Sequence, residues 1–195
     1  MKKTLTELKD EDLIKEFQDN DTIGAYELLV KRYKDPLMNF VYRFVGDKDI
    51  SSDIVQETMI KFYLNKNSYR SFAKFSTWIY TIAGNLAKNE LKRRKRRVIF
   101  SLSPHDEDEK SIQVADKTFF SPEVQTDSNI KNGLIQQALL KVKPVYREIV
   151  ILRDVQGLSY EEIAEISGLS IGTVKSRINR GRSQLQKLLK NIYKD

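Results

Sequence analysis

Polar and cationic side chains recur at helical spacing within FSTWIYTIAGNLAKNELKRRKRR, residues 75–97. The members that share one predicted helix face are Thr81, Asn85, Lys88, Asn89 and Lys92. Lysines bind phosphates and asparagines hydrogen-bond to base edges, so this face is suited to nucleic acid. The opposite stripe is apolar and is expected to face a core; it consists of Ile79, Ile82, Ala83, Leu86 and Leu91.

Aromatic and cationic residues alternate in SYRSFAKFSTW, residues 68–78, directly before that helix. The rings belong to Tyr69, Phe72, Phe75 and Trp78, and the charges to Arg70 and Lys74. Single-stranded nucleic acid is bound in this way: bases stack on rings, at about 1 to 3 kcal/mol per base, while cations hold the backbone. The alternative is that the rings, Trp78 in particular, are ordinary core; the loop residues are expected to be exposed.

A third pattern, LSYEEIAEISGLSIGTVKSRINRGRSQLQKLL, spans residues 158–189. Ala164, then Gly168 and then Val174 have helix-turn-helix spacing. Ser159 and Glu162 form a capping-box pair for the first helix, and Ser170 can cap the second. The second helix is expected to bury Val174, Ile178, Leu185 and Leu189. Its outward residues suit the DNA major groove; they are Thr173, Lys175, Ser176, Arg177, Asn179, Arg180 and Arg182.

The helix predicted from SSDIVQETMIKFYLN, residues 51–65, has two distinct faces. Its predicted core residues are Val55, Met59, Phe62 and Tyr63. Asp53, Gln56 and Glu57 cluster on another face at i, i+3, i+4 spacing. Spacing alone leaves two interpretations of this cluster: a binding face, or carboxylates that complement the helix macrodipole.

Composition removes most catalytic chemistry. The 195 residues include no cysteine and one histidine, His105, so thiolate metal sites, disulfides and histidine triads are excluded. We therefore predict no metal site, no cofactor and no enzymatic activity. A nuclease would need a carboxylate cluster around metal ions; the adjacent acids 106–109 lie in a predicted linker instead.

The net charge of +7 is distributed in blocks. Residues 88–97 hold seven basic residues and one acid, and residues 171–195 do so again. Between them, residues 103–128 hold seven acids, two lysines and two prolines, as a linker would. No apolar run is long enough to span a bilayer and no signal peptide is recognisable in the sequence, so we expect a cytoplasmic protein without membrane insertion.

Helical periodicity continues through both basic halves and no strand-type alternation is sustained. Pro36 is expected to kink or restart a helix, and Gly46 to end it; Pro144 opens a helix and Gly157 closes it. Two further inward-facing stripes are predicted, one of Leu13, Ile14 and Phe17, the other of Ile23, Tyr26, Leu29, Val30 and Tyr33. The predicted fold is all-α, with two small helical domains, 1–99 and 129–195, joined by an extended acidic linker, 100–128.

Three of these segments, in this order, resemble the sigma-70 family of bacterial RNA polymerase sigma factors, in its extracytoplasmic function (ECF, group 4) subgroup. DIVQETMIKFY resembles the family's polymerase-binding helix. FSTWIYTIAGNLAKNELKRRKRR resembles its segment for promoter melting and -10 recognition, and LSYEEIAEISGLSIGTVKSRINRGRSQL its -35-binding helix-turn-helix. The resemblance covers nearly the whole chain.

The resemblance implies a promoter-specificity subunit that binds core RNA polymerase and promoter DNA and traps non-template bases. Asp53, Gln56 and Glu57 would dock on the β′ clamp coiled coil, and the second domain on the β flap. The acidic linker would thread the cationic channels of the polymerase. The protein would be associated with the nucleoid, and an anti-sigma factor would be a further partner. The implied -10 contacts are Ser68, Tyr69, Arg70, Ser71, Phe72, Lys74, Trp78, Asn85, Lys88 and Asn89.

Three positions depart from the family pattern. Gly84 stands where a larger residue is usual, Lys175 where arginine is common, and Asn179 where an aromatic residue or histidine is common. The last two affect the predicted base recognition rather than the family assignment. A stand-alone helix-turn-helix regulator is the alternative function, although it leaves Asp53, Gln56, Glu57 and the aromatic loop without a role.

Overall fold

The computed structural model of the chain describes residues 4–101 and 127–192. These residues form helices and contain no β-strand, which confirms the all-α prediction. None of their helices is both long and apolar enough to cross a membrane. Most of the predicted linker, with His105 and acids 106–109, lies outside the described residues, so the boundaries at 99 and 129 stay predictions.

Four helices form the N-terminal unit: α1 (Asp10–Asn20), α2 (Ile23–Val45), α3 (Lys48–Leu64) and α4 (Phe75–Ser101). Their core is rich in phenylalanine, with Phe17, Phe62 and Phe75 almost fully buried. The Phe62 ring centroid lies 5.9 Å from that of Phe17 and 5.2 Å from that of Phe75. Burying each such side chain stabilises the fold by about 1.5 to 3 kcal/mol, so α1, α3 and α4 are held around one cluster.

Pro36 does not restart a helix: α2 runs through it without interruption. An interior proline costs about 3 kcal/mol because it removes a backbone hydrogen bond. Leu29 precedes Pro36, and Leu37 and Phe40 follow it, and all three are buried. Packing on both sides of the proline therefore keeps the two segments in one helix.

The boundary between α2 and α3 lies at Gly46, where the sequence predicted the end of a helix. Gly46 ends α2 in the left-handed region, with φ of +82°. Asp47 then caps α3, because its carboxylate accepts a hydrogen bond of 3.0 Å from the Ile50 amide.

Burial differs from the sequence-based prediction at several positions. Ile23 and Tyr63 are exposed, although Tyr63 still contacts the Tyr26 ring at 5.3 Å. Tyr80 and Ala87 are buried in α4, where the predicted core stripe did not include them. The helical period identifies a face of a helix, but the neighbouring helices decide how wide a part of that face is covered.

Four helices form the C-terminal unit: α5 (Asp127–Lys141), α6 (Pro144–Val150), α7 (Tyr160–Ser167) and α8 (Ile171–Ile192). A π-helical turn, Ile151–Val155, continues α6 and ends before Gly157, whose φ is +73°. The predicted capping box is present: the Glu162 amide donates to Ser159 Oγ at 3.1 Å, and the Ser159 amide donates to Glu162 Oε2 at 2.8 Å. Gly168, with φ of +68°, makes the turn between α7 and α8.

Candidate functional site

The segment between α3 and α4 is a loop that α1 anchors at both ends. Gln18 Nε2 donates to the carbonyl oxygens of Lys66, at 2.7 Å, and Tyr69, at 3.3 Å. At the far end, the Phe75 amide donates to Glu11 Oε1 at 3.2 Å. Fixed ends give the exposed middle of this loop, residues 70–74, a defined position beside α4.

The two aromatic residues of the loop have opposite environments. Phe72 is 90% exposed, whereas Tyr69 is 4% exposed. The Tyr69 ring packs on Phe75 and Trp78, and its hydroxyl donates to the Ala73 carbonyl at 2.6 Å. Burial, followed by the nearby Glu11 carboxylate, raises the pKa of the Tyr69 hydroxyl. The expectation that Tyr69 is exposed is therefore wrong: its ring supports the loop, and Phe72 is the open ring.

The remaining predicted loop residues are mostly accessible. Ser68, Arg70 and Ser71 are exposed. Trp78 is partly buried, with its ring 5.9 Å from Phe62 and at 89° to it. Much of the Trp78 ring therefore belongs to the core, as the alternative interpretation expected.

The predicted polar face of α4 lies opposite its buried side. Asn85, Asn89 and Lys92 are exposed, and Lys88 is partly buried. Two lysines, Lys74 of the loop and Lys88 of α4, each have a carboxylate partner on the C-terminal unit. Lys74 Nζ lies 3.0 Å from Glu162 Oε1, and Lys88 Nζ lies 3.2 Å from Glu148 Oε1.

The six consecutive cations of α4 are not equivalent. Glu90, which is buried, accepts hydrogen bonds from Arg93 Nε at 2.7 Å and Arg94 Nε at 3.1 Å. Burial alone would raise the pKa of Glu90, but these arginines hold it below its ordinary value. Arg94 also contacts Asp47 at 3.1 Å. The sequence analysis did not identify Glu90 as a partner of these arginines. Its i+3 and i+4 spacing to Arg93 and Arg94 was the available signal.

The Asp53, Gln56 and Glu57 cluster is exposed on α3. Gln56 Nε2 donates to Ser52 Oγ at 3.3 Å, and Glu57 lies 3.4 Å from Lys61. Asp47 and Asp49 already occupy the cap and first turn of α3, and macrodipole effects decline beyond the first turn. This placement favours a binding face over macrodipole compensation.

Helices α7 and α8 have helix-turn-helix geometry. The Leu169 amide donates to the Ala164 carbonyl at 3.1 Å across the turn, and the Thr173 amide donates to Ser170 Oγ at 3.3 Å. Val174 and Ile178 are buried as predicted, whereas Leu185 and Leu189 are only partly buried. The exposed predicted residues of α8 are Lys175, Ser176, Asn179, Arg180 and Arg182, with Thr173 and Arg177 partly exposed.

Some cations of that face have partners in the structure. Arg182 Nε donates to Asp154 Oδ2 at 3.0 Å, and Asp154 raises the pKa of the Arg182 guanidinium. Lys175 Nζ lies 5.8 Å from the centroid of the Tyr160 ring. Within residues 4–101 and 127–192, no three acidic or histidine side chains cluster as metal ligands would.

In comparison with known proteins, the two units match two different regions of one family. Residues 29–97 match the family Sigma-70 region 2, and residues 132–185 match Sigma-70, region 4. The RNA polymerase sigma-H factor of Pseudomonas aeruginosa is 33% identical over 98% of this chain and 99% of its own length. The ECF RNA polymerase sigma factor SigW of Bacillus subtilis is 34% identical over 86% of this chain and 90% of its own.

Solved structures are similar as well. The sigma factor RpoE of Bartonella quintana, in complex with the anti-sigma factor NepR, is 28% identical with a TM-score of 0.65, over 85% of this chain and 96% of that chain. CnrH, in complex with the cytosolic domain of CnrY, has a TM-score of 0.68 over 93% of this chain and 97% of that chain; at 20% identity it shows the shared fold alone. With full-length relatives above 30% identity and both family regions in order, this chain belongs to the sigma-70 family of RNA polymerase sigma factors, in its ECF group.

Proposed function

We propose that this ECF sigma factor recognises the -10 element with its N-terminal unit and the -35 element with its C-terminal unit, and that it melts DNA by trapping non-template bases. The observation that carries the proposal is the anchored loop of residues 70–74, which holds the exposed Phe72 ring directly before α4. A fixed ring next to amides and cations is suited to an unpaired base.

Extruding a base from the duplex costs a few kcal/mol, which stacking and edge contacts must offset. Phe72 supplies the stacking surface, and Arg70 and Lys74 on either side of it hold the backbone phosphates. Asn85 and Asn89, both exposed on α4, offer amides to neighbouring base edges. Tyr69 and Trp78 pack against each other and hold the loop in place.

The -35 element lies against the exposed face of α8 in the major groove. Asn179 and Arg180 are exposed there and carry the donors that base edges accept. Lys175 and Ser176, one turn earlier, contact phosphates. Ser170 and Thr173 begin the helix, whose N-terminal residues approach the bases in helix-turn-helix proteins.

Core polymerase binds the N-terminal unit through the exposed cluster of Asp53, Gln56 and Glu57, which docks on the β′ clamp coiled coil. The C-terminal unit docks on the β flap. Holding both units at a fixed separation lets them recognise two promoter elements together. The factor acts in the cytoplasm, at the nucleoid, and an anti-sigma factor holds it inactive. The similar sigma factor RpoE of Bartonella quintana forms a complex with the anti-sigma factor NepR, which supports a partner of this kind.

The decisive experiment mixes the purified chain with core polymerase and a library of genomic promoter fragments and maps transcription start sites. New start sites that share -10 and -35 elements are expected. A chain that binds promoter fragments without core polymerase, and that forms no complex with core, would instead be a stand-alone regulator.

A further inference from the structure

The basic end of α4 has two different faces. Lys92 lies seven residues after Asn85, which places both on one face of the helix. Arg96 follows Asn89 by the same interval, so this face of the basic segment continues the proposed DNA-binding surface. Glu90 lies five residues after Asn85 and is therefore directed towards the opposite side of the helix.

The carboxylate of Glu90 binds two arginines at once. Arg93 Nε donates to Glu90 Oε2, and Arg93 Nη2 lies against the same oxygen, both at 2.7 Å. Arg94 Nε donates to Glu90 Oε1 at 3.1 Å, and Arg94 Nη2 donates to Asp47 Oδ2 at 3.1 Å. Both oxygens of Glu90 are therefore occupied, and two cations are compensated by two acids.

This pairing resists competition from DNA phosphates. Only 8% of Glu90 is exposed, and a buried carboxylate that loses its partners costs considerable free energy. Asp47 is fixed as well, because its other oxygen, Oδ1, accepts a hydrogen bond from the Ile50 amide. A phosphate that drew Arg93 or Arg94 away would leave the Glu90 charge uncompensated inside the protein.

Lys95 and Arg96, the next two cations in the sequence, have no such partners. Both are exposed, and within residues 4–101 and 127–192 no carboxylate pairs with either side chain. Their charges are therefore open to phosphates. The continuous charge block of the sequence consists of two different sets of cations in the structure.

We propose that Glu90 is a positioning residue that sets specificity: it keeps Arg93 and Arg94 from binding DNA phosphates and leaves the exposed cations of α4 to hold the backbone. The inference rests on the proposed DNA-binding role of α4. Phosphate contacts carry no sequence information, so each one strengthens binding to promoter and non-promoter DNA alike. By compensating two of six consecutive cations, Glu90 lowers non-specific affinity and leaves the base-contacting residues unchanged.

Two double variants with the same change in charge test the proposal. Arg93→Gln/Arg94→Gln removes the compensated pair, and Lys95→Gln/Arg96→Gln removes the exposed pair. Binding of the full chain to a fluorescein-labelled duplex of mixed sequence, without promoter elements, is measured by anisotropy over a series of salt concentrations. The slope of log affinity against log salt concentration decreases by about 0.9 for each phosphate contact that is lost.

The exposed-pair variant should lower that slope by about 1.8, and the compensated-pair variant by less than about half as much. Circular dichroism checks that each variant keeps its helix content. Equal losses from both pairs would overturn the proposal. No loss from either pair would show that this end of α4 does not bind DNA, and would refute the proposed function on which the inference rests.

Glu90→Gln tests the carboxylate itself. Glutamine cannot compensate the arginines, so binding to the mixed-sequence duplex should tighten and the slope should steepen by up to about 1.8. Adding Arg93→Gln and Arg94→Gln to this variant should abolish the gain. Glu27→Gln makes the same change in net charge at an exposed position on α2 and is the matched control. A slope that Glu90→Gln steepens no more than Glu27→Gln does would overturn the proposal.

Promoter specificity is measured on the holoenzyme by competition. Non-promoter duplex should inhibit open-complex formation by the Glu90→Gln holoenzyme at a concentration several-fold lower than it needs for the parent. The Glu27→Gln holoenzyme should respond as the parent does. Equal inhibition of the parent and of Glu90→Gln would overturn the role of Glu90 in specificity.

Discussion

At the level of single residues, the aromatic side chains of Tyr69 and Phe72 have different roles in the same loop. Phe72 has almost no protein contact, whereas Tyr69 lies in the core and bonds to the backbone of its own loop. The sequence pattern predicted the same nucleic-acid-binding role for both rings. Only their tertiary surroundings distinguish the exposed Phe72 ring, which is open to a base, from the buried Tyr69 ring, which supports the loop.

Phe72→Ala should therefore weaken promoter melting with little effect on stability. Loss of one stacked base corresponds to about 1 to 3 kcal/mol. The measurement is open-complex formation by the holoenzyme, followed with a fluorescent base at the -10 element. Tyr69→Phe is the contrasting variant: it should lower the free energy of unfolding by about 0.5 to 1.5 kcal/mol through the lost hydrogen bond. Equal melting by Phe72→Ala and the parent would refute the stacking role.

Arg180→Ala addresses base recognition at the -35 element. Arg180 is exposed on α8 and no described acid pairs with it in the structure. If it contacts a base, the variant should lose about 1 to 3 kcal/mol of binding and tolerate substitution at one -35 position. Transcription from promoters with each -35 base changed in turn measures this. A uniform loss on all promoters would identify a phosphate contact instead.

At the level of helices, α3 presents one continuous exposed face. Asp53, Gln56 and Glu57 are followed on that face by Ile60 and Leu64, which are 57% and 71% exposed. The first three were found from the sequence because charged and amide side chains are expected outside. The two apolar residues were missed, since exposure of an apolar side chain depends on which helix does not cover it.

Asp53→Lys should weaken binding to core polymerase, because it reverses a charge on the proposed docking face. The midpoint of thermal unfolding should stay near that of the parent, as expected for exposed sites. Glu27→Lys, the same kind of charge reversal at an exposed position on α2, is the control and should bind core as the parent does. Affinity is measured by anisotropy of the labelled sigma factor. If Asp53→Lys binds as tightly as Glu27→Lys, the docking face lies elsewhere.

Helix boundaries show how far local chemistry alone reaches. The stop at Gly46, the start at Pro144 and the Ser159 capping box follow from backbone and side-chain chemistry within a few residues. Pro36 does not follow its local preference, because burial of Leu37 and Phe40 comes from other helices. Local sequence preferences therefore predict a helix boundary when no packing opposes them. They fail when contacts with other helices favour a different backbone conformation.

At the level of the whole molecule, the contact between the two units makes the stability of the fold sensitive to pH. Burial raises the pKa of Glu148, and the opposing charges of Lys88 on α4 and Arg177 on α8 only partly offset it. A raised pKa means that the folded state binds the proton more tightly than the unfolded state. The free energy of unfolding should therefore rise as the pH falls through that raised pKa.

Glu162 contributes in the opposite direction, over a lower pH range. Burial acts to raise its pKa, but bonds from Ser159 and Lys74 hold it below the ordinary value. Its contribution to stability is thus lost only as the pH falls below the ordinary value. Above that value, the titration of Glu148 is expected to dominate.

Urea unfolding of the parent and of Glu148→Gln, recorded from neutral pH downwards, tests this. The free energy of unfolding of the parent should rise relative to that of Glu148→Gln as the pH falls through the raised pKa, since the amide does not titrate. A difference between the two chains that does not change with pH would contradict the assignment.

The sequence by itself determined the helices, their caps, the charge blocks and the family, because these depend on periodicity and on contacts within a few residues. The tertiary structure decided which aromatic ring is open, that Glu90 engages Arg93 and Arg94, and that Gly84 accommodates Glu148. Residues 84 and 148 lie far apart in the chain, and no local rule encodes their contact. Only the packing of one unit on the other brings that carboxylate to Lys88.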